Sequence, residues 1–169
     1  MRDRHAMLAR HGESLNRYAR ALAGDLDVAK DLWQETAARY LAARRAPAEE
    51  TEARFYLFRI LRNLLVDEAR HRRVTLAHVE AEGALNCGAG HHTHALIAEI
   101  TVRQALARLP PEQREVVGLV DIGGFGYVEA AGILGVPVGT VMSRLARARA
   151  AMLADIAGTA MLPVRRRAS

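Results

Sequence analysis

The chain has 169 residues, and half of them are apolar, which excludes a chain that is disordered throughout and suffices for one domain or two small ones. Its 24 basic and 19 acidic residues give a net charge of +5 and a pI of about 10.1. Because Lys30 is the only lysine, nearly all of the positive charge is guanidinium, which suits a polyanion such as nucleic acid.

The cysteine content and the hydropathy indicate a cytoplasmic protein. Cys87 is the only cysteine, so no intrachain disulfide can form, and this usage fits a reducing compartment. No apolar run approaches the roughly 18 to 20 residues of a membrane-spanning helix, and the N-terminal residues lack the apolar core of a signal peptide. We therefore expect a cytoplasmic location and no membrane insertion.

Residues 6–73 have a helical pattern that is interrupted only by turn signals near Gly24 and Pro47. A first helix is predicted near 6–23, and a second begins at Asp25 or Asp27, whose carboxylate can cap free backbone N–H groups. A third helix is predicted from about 50 to 72. The polar face of the second helix carries Asp31, Gln34 and Glu35.

Residues 74–94 break the helical pattern and are predicted to form a flexible linker, since they contain several glycines and few apolar residues. Cys87, His91, His92 and His94 have donor types that suit zinc. Their spacing matches no closed zinc motif, so we interpret them as part of a solvated, histidine-rich linker, with metal binding as the alternative.

A second helical block begins near residue 95 and ends in the most specific pattern of the chain. The Pro110-Pro111-Glu112 step ends one helix and begins the next, because proline is tolerated in a first helical turn. Residues 127–149, YVEAAGILGVPVGTVMSRLARAR, then have the spacing of a helix-turn-helix. Gly135 can adopt a positive φ at the turn, and Val141 and Leu145 form the inward stripe of the second helix.

The outward face of that second helix is polar and suits DNA. Short hydroxyls and guanidinium groups bind phosphates and the edges of guanine bases. A plain helical hairpin with a basic, solvated face is the alternative. The four candidate contact residues are Thr140, Ser143, Arg144 and Arg147.

Five segments of the two blocks occur in a recognisable order. They are YAR at 18–20, DLWQET at 31–36, FYLFRILRNLLVD at 55–67, ALARLPPEQREV at 105–116 and GTVMSRLARAR at 139–149, with Arg70, Arg72 and Arg73 after the third. In this order they resemble a group IV, extracytoplasmic-function (ECF) sigma factor of bacterial RNA polymerase. The resemblance implies an all-α protein with a σ2-like helical bundle in 1–73, a flexible linker in 74–94, a σ4-like helix-turn-helix domain in 95–162 and a basic tail in 163–169.

The resemblance also implies a role for each face of the first block. The acidic helix of σ2 contacts the β′ clamp of core polymerase, so Asp31, Gln34 and Glu35 are the expected polymerase contacts. The next helix melts and reads the −10 element of the promoter, with guanidinium groups for phosphates and an amide and a carboxylate for bases. The residues that this helix offers are Arg59, Arg62, Asn63, Asp67, Arg70 and Arg73.

In the second block the resemblance assigns the −35 element, as duplex DNA, to the helix predicted over 138–149. Arg144 is the expected base contact, and Thr140 and Arg147 are expected to contact phosphates. Gly126 stands where the family usually has serine and Gly132 where it has a larger polar residue, so we expect a looser first helix in this unit. Further partners implied are the β flap of polymerase and an anti-sigma factor.

We therefore expect a sigma factor that directs promoter-specific initiation, with no cofactor and no catalytic activity of its own. Histidines and carboxylates are numerous, but none is paired in a recognisable catalytic motif. The main alternative is a sigma-like mimic that sequesters an anti-sigma factor without initiating transcription. A free-standing helix-turn-helix repressor would leave the block from Asp31 to Asp67 unexplained.

Overall fold

The computed structural model describes residues 2–78 and 94–160, and the regular secondary structure in these ranges is all helical, as predicted. They form seven α-helices and one π-helical turn, which lies between α5 and α6. The helices are α1 Arg2–Ala23, α2 Leu26–Ala42, α3 Glu50–His78, α4 His94–Arg108, α5 Pro111–Val117, α6 Tyr127–Leu134 and α7 Val138–Ala160, and the π-turn is Gly118–Ile122.

Helices α1 to α3 form the first domain around a core of large apolar side chains. Asp25 is the N-cap of α2, and its Oδ1 accepts hydrogen bonds from the backbone N–H groups of Asp27 (2.8 Å) and Val28 (3.0 Å). The bonds from Val28 and Asp27 lower the pKa of the Asp25 carboxyl. The largest fully buried side chains of this domain include Leu15, Tyr18, Tyr40, Leu57, Phe58 and Leu61.

Helices α4 to α7 and the π-turn form the second domain, which contains the predicted helix-turn-helix. Gly135 ends α6 with φ 68°, the left-handed conformation that the sequence predicts there. Val141, Leu145 and Ala148 are buried, so the inward stripe of α7 is confirmed. Pro111 occupies the first turn of α5, where its missing N–H costs nothing.

Three helices are longer than predicted, and one of them is α1, which begins at Arg2 rather than near residue 6. α3 continues past residue 72 to His78, because no glycine or proline interrupts the chain there. α7 likewise continues past residue 149 to Ala160 through an alanine-rich stretch of high helix propensity.

The candidate metal ligands and much of the predicted linker fall outside the description. Cys87, His91 and His92 lie outside the described residues, and His94 begins α4 with a side chain that is likewise outside the description. Within 2–78 and 94–160, no group of three or more His, Cys, Asp and Glu side chains could hold a metal ion.

No single helix in the described ranges is long and apolar enough to cross a membrane. Taken together, α6 and α7 are long and apolar enough to span a membrane by length and composition alone, but the two helices are bent by 103° where they meet.

Candidate nucleic-acid and polymerase interfaces

The outward face of α7 brings together the four side chains predicted to contact DNA. Thr140, Ser143, Arg144 and Arg147 recur at the three- and four-residue spacing of one helix face, opposite the buried stripe. The Ser143 hydroxyl donates to the Thr140 carbonyl oxygen (3.1 Å), and Arg147 Nε donates to the Ser143 carbonyl oxygen (3.2 Å). The Arg144 guanidinium makes no hydrogen bond or ion pair with another described residue. The face is therefore polar, cationic and open to a ligand.

Two polar contacts fix the helices that carry this face. Glu129 accepts a hydrogen bond from the Gly126 backbone N–H (2.8 Å), which supplies half of a capping box at the start of α6. Arg149 pairs with Asp121 of the π-turn, and this hydrogen bond raises the pKa of Arg149. The glycine at position 126 is thus compatible with a capped α6.

Helix α3 places four of the predicted −10 residues along one exposed side. Arg59, Asn63, Asp67 and Arg70 are all exposed and follow each other at helical spacing. The Arg59 guanidinium lies 5.8 Å from the centroid of the Tyr56 ring. This face combines cations, an amide and a carboxylate, as expected.

The structure places a fifth predicted −10 residue, Arg62, elsewhere. Arg62 is turned toward the second domain, where its Nη2 and Nε donate to the same carboxylate oxygen of Glu115 in α5, at 2.9 and 3.2 Å. Both side chains of this pair are only about a quarter exposed, at 25% and 22%. The side chain of Arg73 is outside the description.

The acidic face of α2 is exposed, as a docking surface requires. Asp31, Gln34 and Glu35 point away from the side of α2 that packs on the core through residues such as Leu32 and Tyr40. Glu35 accepts a hydrogen bond from Arg39 Nε one turn later (2.7 Å), while the helix side around Asp31 stays acidic.

Sequence reasoning missed a set of residues that joins the two domains. Phe125, in the glycine-rich segment before α6, is buried against α3, and Arg54 donates a hydrogen bond across the domains to the Gly123 carbonyl oxygen (2.6 Å). The one local signal was a lone aromatic residue among glycines. The pairing of Arg62 with Glu115 has no local signature at all.

Each of the two domains matches a known protein family. Residues 7–75 match the Sigma-70 region 2 family, and residues 94–152 match the Sigma-70 region 4 family. The ECF RNA polymerase sigma factor EcfG of Rhodopseudomonas palustris (strain TIE-1) is 39% identical over 143 residues, which cover 83% of this chain and 78% of EcfG. This chain belongs to the ECF sigma factors. It directs transcription initiation and is not an enzyme.

Other relatives of this ECF sigma factor are similar along most of their length. The ECF sigma factor SigC of Mycobacterium tuberculosis (strain CDC 1551 / Oshkosh) is 35% identical over 138 residues, covering 80% of this chain and 74% of SigC. Among solved structures, the sigma factor RpoE in complex with the anti-sigma factor NepR from Bartonella quintana has a TM-score of 0.76 at 25% identity, covering 93% of this chain and 98% of RpoE. CnrH, solved with the cytosolic domain of CnrY, has a TM-score of 0.66 at 28% identity, covering 92% and 88%.

Proposed function

We propose that this ECF sigma factor binds core RNA polymerase through the acidic face of α2 and recognises promoters with α3 at the −10 element and α7 at the −35 element. The observation that carries this proposal is the polar, cationic face of α7 on a helix-turn-helix with a left-handed glycine at its turn. In such units the second helix enters the major groove of duplex DNA.

At the −35 element, Arg144 is the base-reading residue. Its guanidinium is not bonded to any other described residue, and a bidentate contact with guanine contributes about 1 to 3 kcal/mol of discrimination. Thr140 and Arg147 contact phosphates, which adds affinity that falls with salt and carries little sequence information. Ser143 lies between them and adds a hydroxyl to the same face.

At the −10 element, the exposed side of α3 binds the melted strand. Arg59, Arg70 and Arg73 neutralise phosphates, and Asn63 and Asp67 provide hydrogen-bond partners for unstacked bases. Arg62 contributes a further guanidinium once it leaves Glu115.

The proposed partners are the β′ clamp, through Asp31, Gln34 and Glu35, and the β flap, through the second domain. An anti-sigma factor completes the set, supported by the complexes of RpoE with NepR and of CnrH with CnrY. We place the σ2-like domain in 1–73, the linker in 74–94, the σ4-like domain in 95–162 and a basic tail in 163–169, in a cytoplasmic protein.

Multi-round transcription tests the proposal directly. Purified core polymerase is supplied with a pool of genomic promoter fragments, with and without this protein, and the transcripts are sequenced. Added protein is expected to yield transcripts whose promoters share paired upstream elements. Tight polymerase binding with no transcripts would contradict promoter recognition by this chain alone. Absence of polymerase binding would favour a mimic that only sequesters an anti-sigma factor.

A further inference from the structure

The outward face of α7 is divided lengthwise into a polar half and an apolar half. With about 3.6 residues per turn, Thr140, Ser143 and Arg147 occupy one side of the face that is opposite the buried stripe. The other side carries small or apolar residues, and we call it the apolar half-face. Its members between residues 138 and 153, all of them exposed, are Gly139, Met142, Ala146 and Leu153.

Met142 is the large side chain of the apolar half-face at the N-terminal end of α7. It is 52% exposed, although it is apolar. It lies in the second turn of α7, and in helix-turn-helix units the N-terminal residues of the second helix contact base edges. A Cβ atom at Gly139 would meet no neighbouring element within 4 Å, and Ala146 one turn later is also small. Met142 therefore projects beyond its neighbours.

The cation that shares this side of α7 with Met142 is already paired. Arg149 lies two turns after Met142 and donates two hydrogen bonds to the carboxylate of Asp121 in the π-turn. A guanidinium that a carboxylate holds is less available to a phosphate. The polar half of the face thus suits phosphates and guanine, whereas the apolar half-face suits a neutral, apolar group.

The major groove of DNA offers one kind of apolar group to such a face. Each base pair presents hydrogen-bond donors and acceptors there, and thymine adds a C5-methyl group. Cytosine presents the same methyl group when it is methylated at C5. Contact between this methyl group and an exposed thioether side chain removes apolar surface of both from water. The apolar half-face therefore complements a methylated pyrimidine.

We propose that Met142 is a specificity-determining residue that recognises the C5-methyl group of a pyrimidine in the −35 element. The inference rests on the proposed function, because it requires that α7 enters the major groove. The polar half of the face reads guanine and phosphates, and the apolar half-face adds a preference for thymine or 5-methylcytosine. Removal of the methyl group is expected to weaken promoter binding about fourfold, the factor that corresponds to burial of one such group.

Promoter fragments that differ by single methyl groups test this contact. The holoenzyme of this chain with core polymerase is titrated with fragments that the transcription assay selects. In each −35 element, every thymine is replaced in turn by deoxyuridine and every cytosine by 5-methylcytosine, on either strand. The wild type is expected to lose about fourfold in affinity at a contacted thymine, or to gain about as much at a contacted cytosine. The position that responds identifies which of the two bases carries the methyl group.

Variants assign the effect to the Met142 side chain. Met142→Ala is expected to bind methylated and unmethylated fragments equally. Met142→Leu, which keeps an apolar side chain of similar volume, is expected to retain most of the difference. Leu153→Ala is the matched control, because Leu153 is an exposed apolar residue of the same half-face but lies roughly 16 Å further along α7. This control is expected to keep the methyl preference of the wild type.

The binding data separate failure of the methyl contact from failure of the proposed function. Equal binding of methylated and unmethylated fragments at every position by the wild type would overturn the proposal, as would a methyl preference that survives in Met142→Ala. Weaker binding of Met142→Ala to core polymerase without DNA would make the apolar half-face a protein-docking surface, and would overturn it too. A holoenzyme with no promoter-specific binding to any −35 sequence would contradict the proposed function instead.

Discussion

Arg144 and Arg62 are both predicted to contact DNA, but their surroundings differ. Arg144 lies on the outward face of α7 and is bonded to no other described residue. Arg62 donates two hydrogen bonds to Glu115 and is three-quarters buried. An unbonded guanidinium can meet a base edge without breaking a protein contact, whereas Arg62 must first exchange one carboxylate partner for another anion.

Replacement of Arg144 by alanine is expected to reduce transcription from promoters with a guanine at the contacted −35 position by about 5- to 150-fold, the equivalent of about 1 to 3 kcal/mol. The loss should shrink when that guanine is changed, since the contact is then already absent. Arg17→Ala, at an exposed position of α1, is the matched control. Unchanged output from Arg144→Ala would remove the −35 assignment.

His11 makes the stability of the first domain depend on pH. The side chain is 7% exposed, and its Nε2 finds no hydrogen-bond partner among the described residues. Burial lowers the pKa of His11, against a raising effect of Glu50, and Arg54 and Arg10 lower it further. The unfolded chain titrates near 6.5 and so binds more protons below that pH than the folded domain does. This contribution to stability is therefore present above about pH 6.5 and is lost as the pH falls from there toward the lower pKa of the folded domain.

Urea denaturation at pH 7.5, 6.5 and 5.5 measures this loss. His11→Gln cannot take up the proton, so its free energy of unfolding is expected to fall less between pH 7.5 and 5.5 than that of the wild type. Comparing the two proteins cancels the titration of carboxylates that both contain. Equal slopes would show that His11 does not contribute.

At the scale of single elements, the helix-turn-helix was predictable because its signals are local. Gly135, the buried pair Val141 and Leu145, and the polar residues between them lie within one short stretch, and each is confirmed in place. The π-turn had no such signal, since Gly118–Ile122 reads as an ordinary continuation of α5. Helices α3 and α7 both extend past the ends that the sequence predicts, because a helix continues past its last identifiable motif when no proline interrupts it.

The turn between α6 and α7 should not tolerate a side chain at Gly135. With φ 68°, alanine at this position is expected to cost roughly 1 to 2 kcal/mol of stability. Gly158→Ala removes a glycine from the helical part of α7 and should cost nothing, with a gain of at most about 1 kcal/mol. Urea denaturation of both variants checks the contrast. An equally stable Gly135→Ala would mean that the turn relaxes to another conformation.

The acidic face of α2 should control affinity for polymerase. The double variant Asp31→Asn, Glu35→Gln is expected to weaken binding to core polymerase by roughly 2- to 30-fold at low salt, since each exposed ion pair contributes about 0.2 to 1 kcal/mol. The effect should diminish as salt is raised. Glu13→Gln, on exposed α1, is the control. Full affinity in the double variant would remove the clamp assignment.

At the scale of the whole molecule, the sequence predicts two helical domains and their order, but not their packing. Arg54 meets Gly123 and Arg62 meets Glu115, and more than fifty residues separate the members of each pair. Hydrophobic periodicity indicates which face of a helix is buried, but it does not indicate which other element buries that face. Phe55 and Phe58 of α3 both pack on Phe125 of the other domain, which the helical periodicity of α3 does not indicate.

The contact between the two domains should be insensitive to salt. Its centre is an aromatic cluster around Phe125, and burial of apolar surface does not depend on screening, whereas the Arg62–Glu115 pair is only one contact at its side. The distance between spin labels at Glu13→Cys and Ala150→Cys, two exposed positions, in a Cys87→Ser background is therefore expected to stay the same between 50 and 500 mM NaCl. Opening at 500 mM NaCl would show that the ion pair dominates.

Tyr18 gives the contact between the two domains an intrinsic weakness. Its side chain is fully buried beneath Gly118, and its hydroxyl has no hydrogen-bond partner among the described residues. Such a group costs about 1 to 3 kcal/mol, and separation of the domains would return it to water. Rehydration of one phenol thus offsets part of what the aromatic cluster gains. The contact between the two domains is therefore weaker than its aromatic cluster alone would make it.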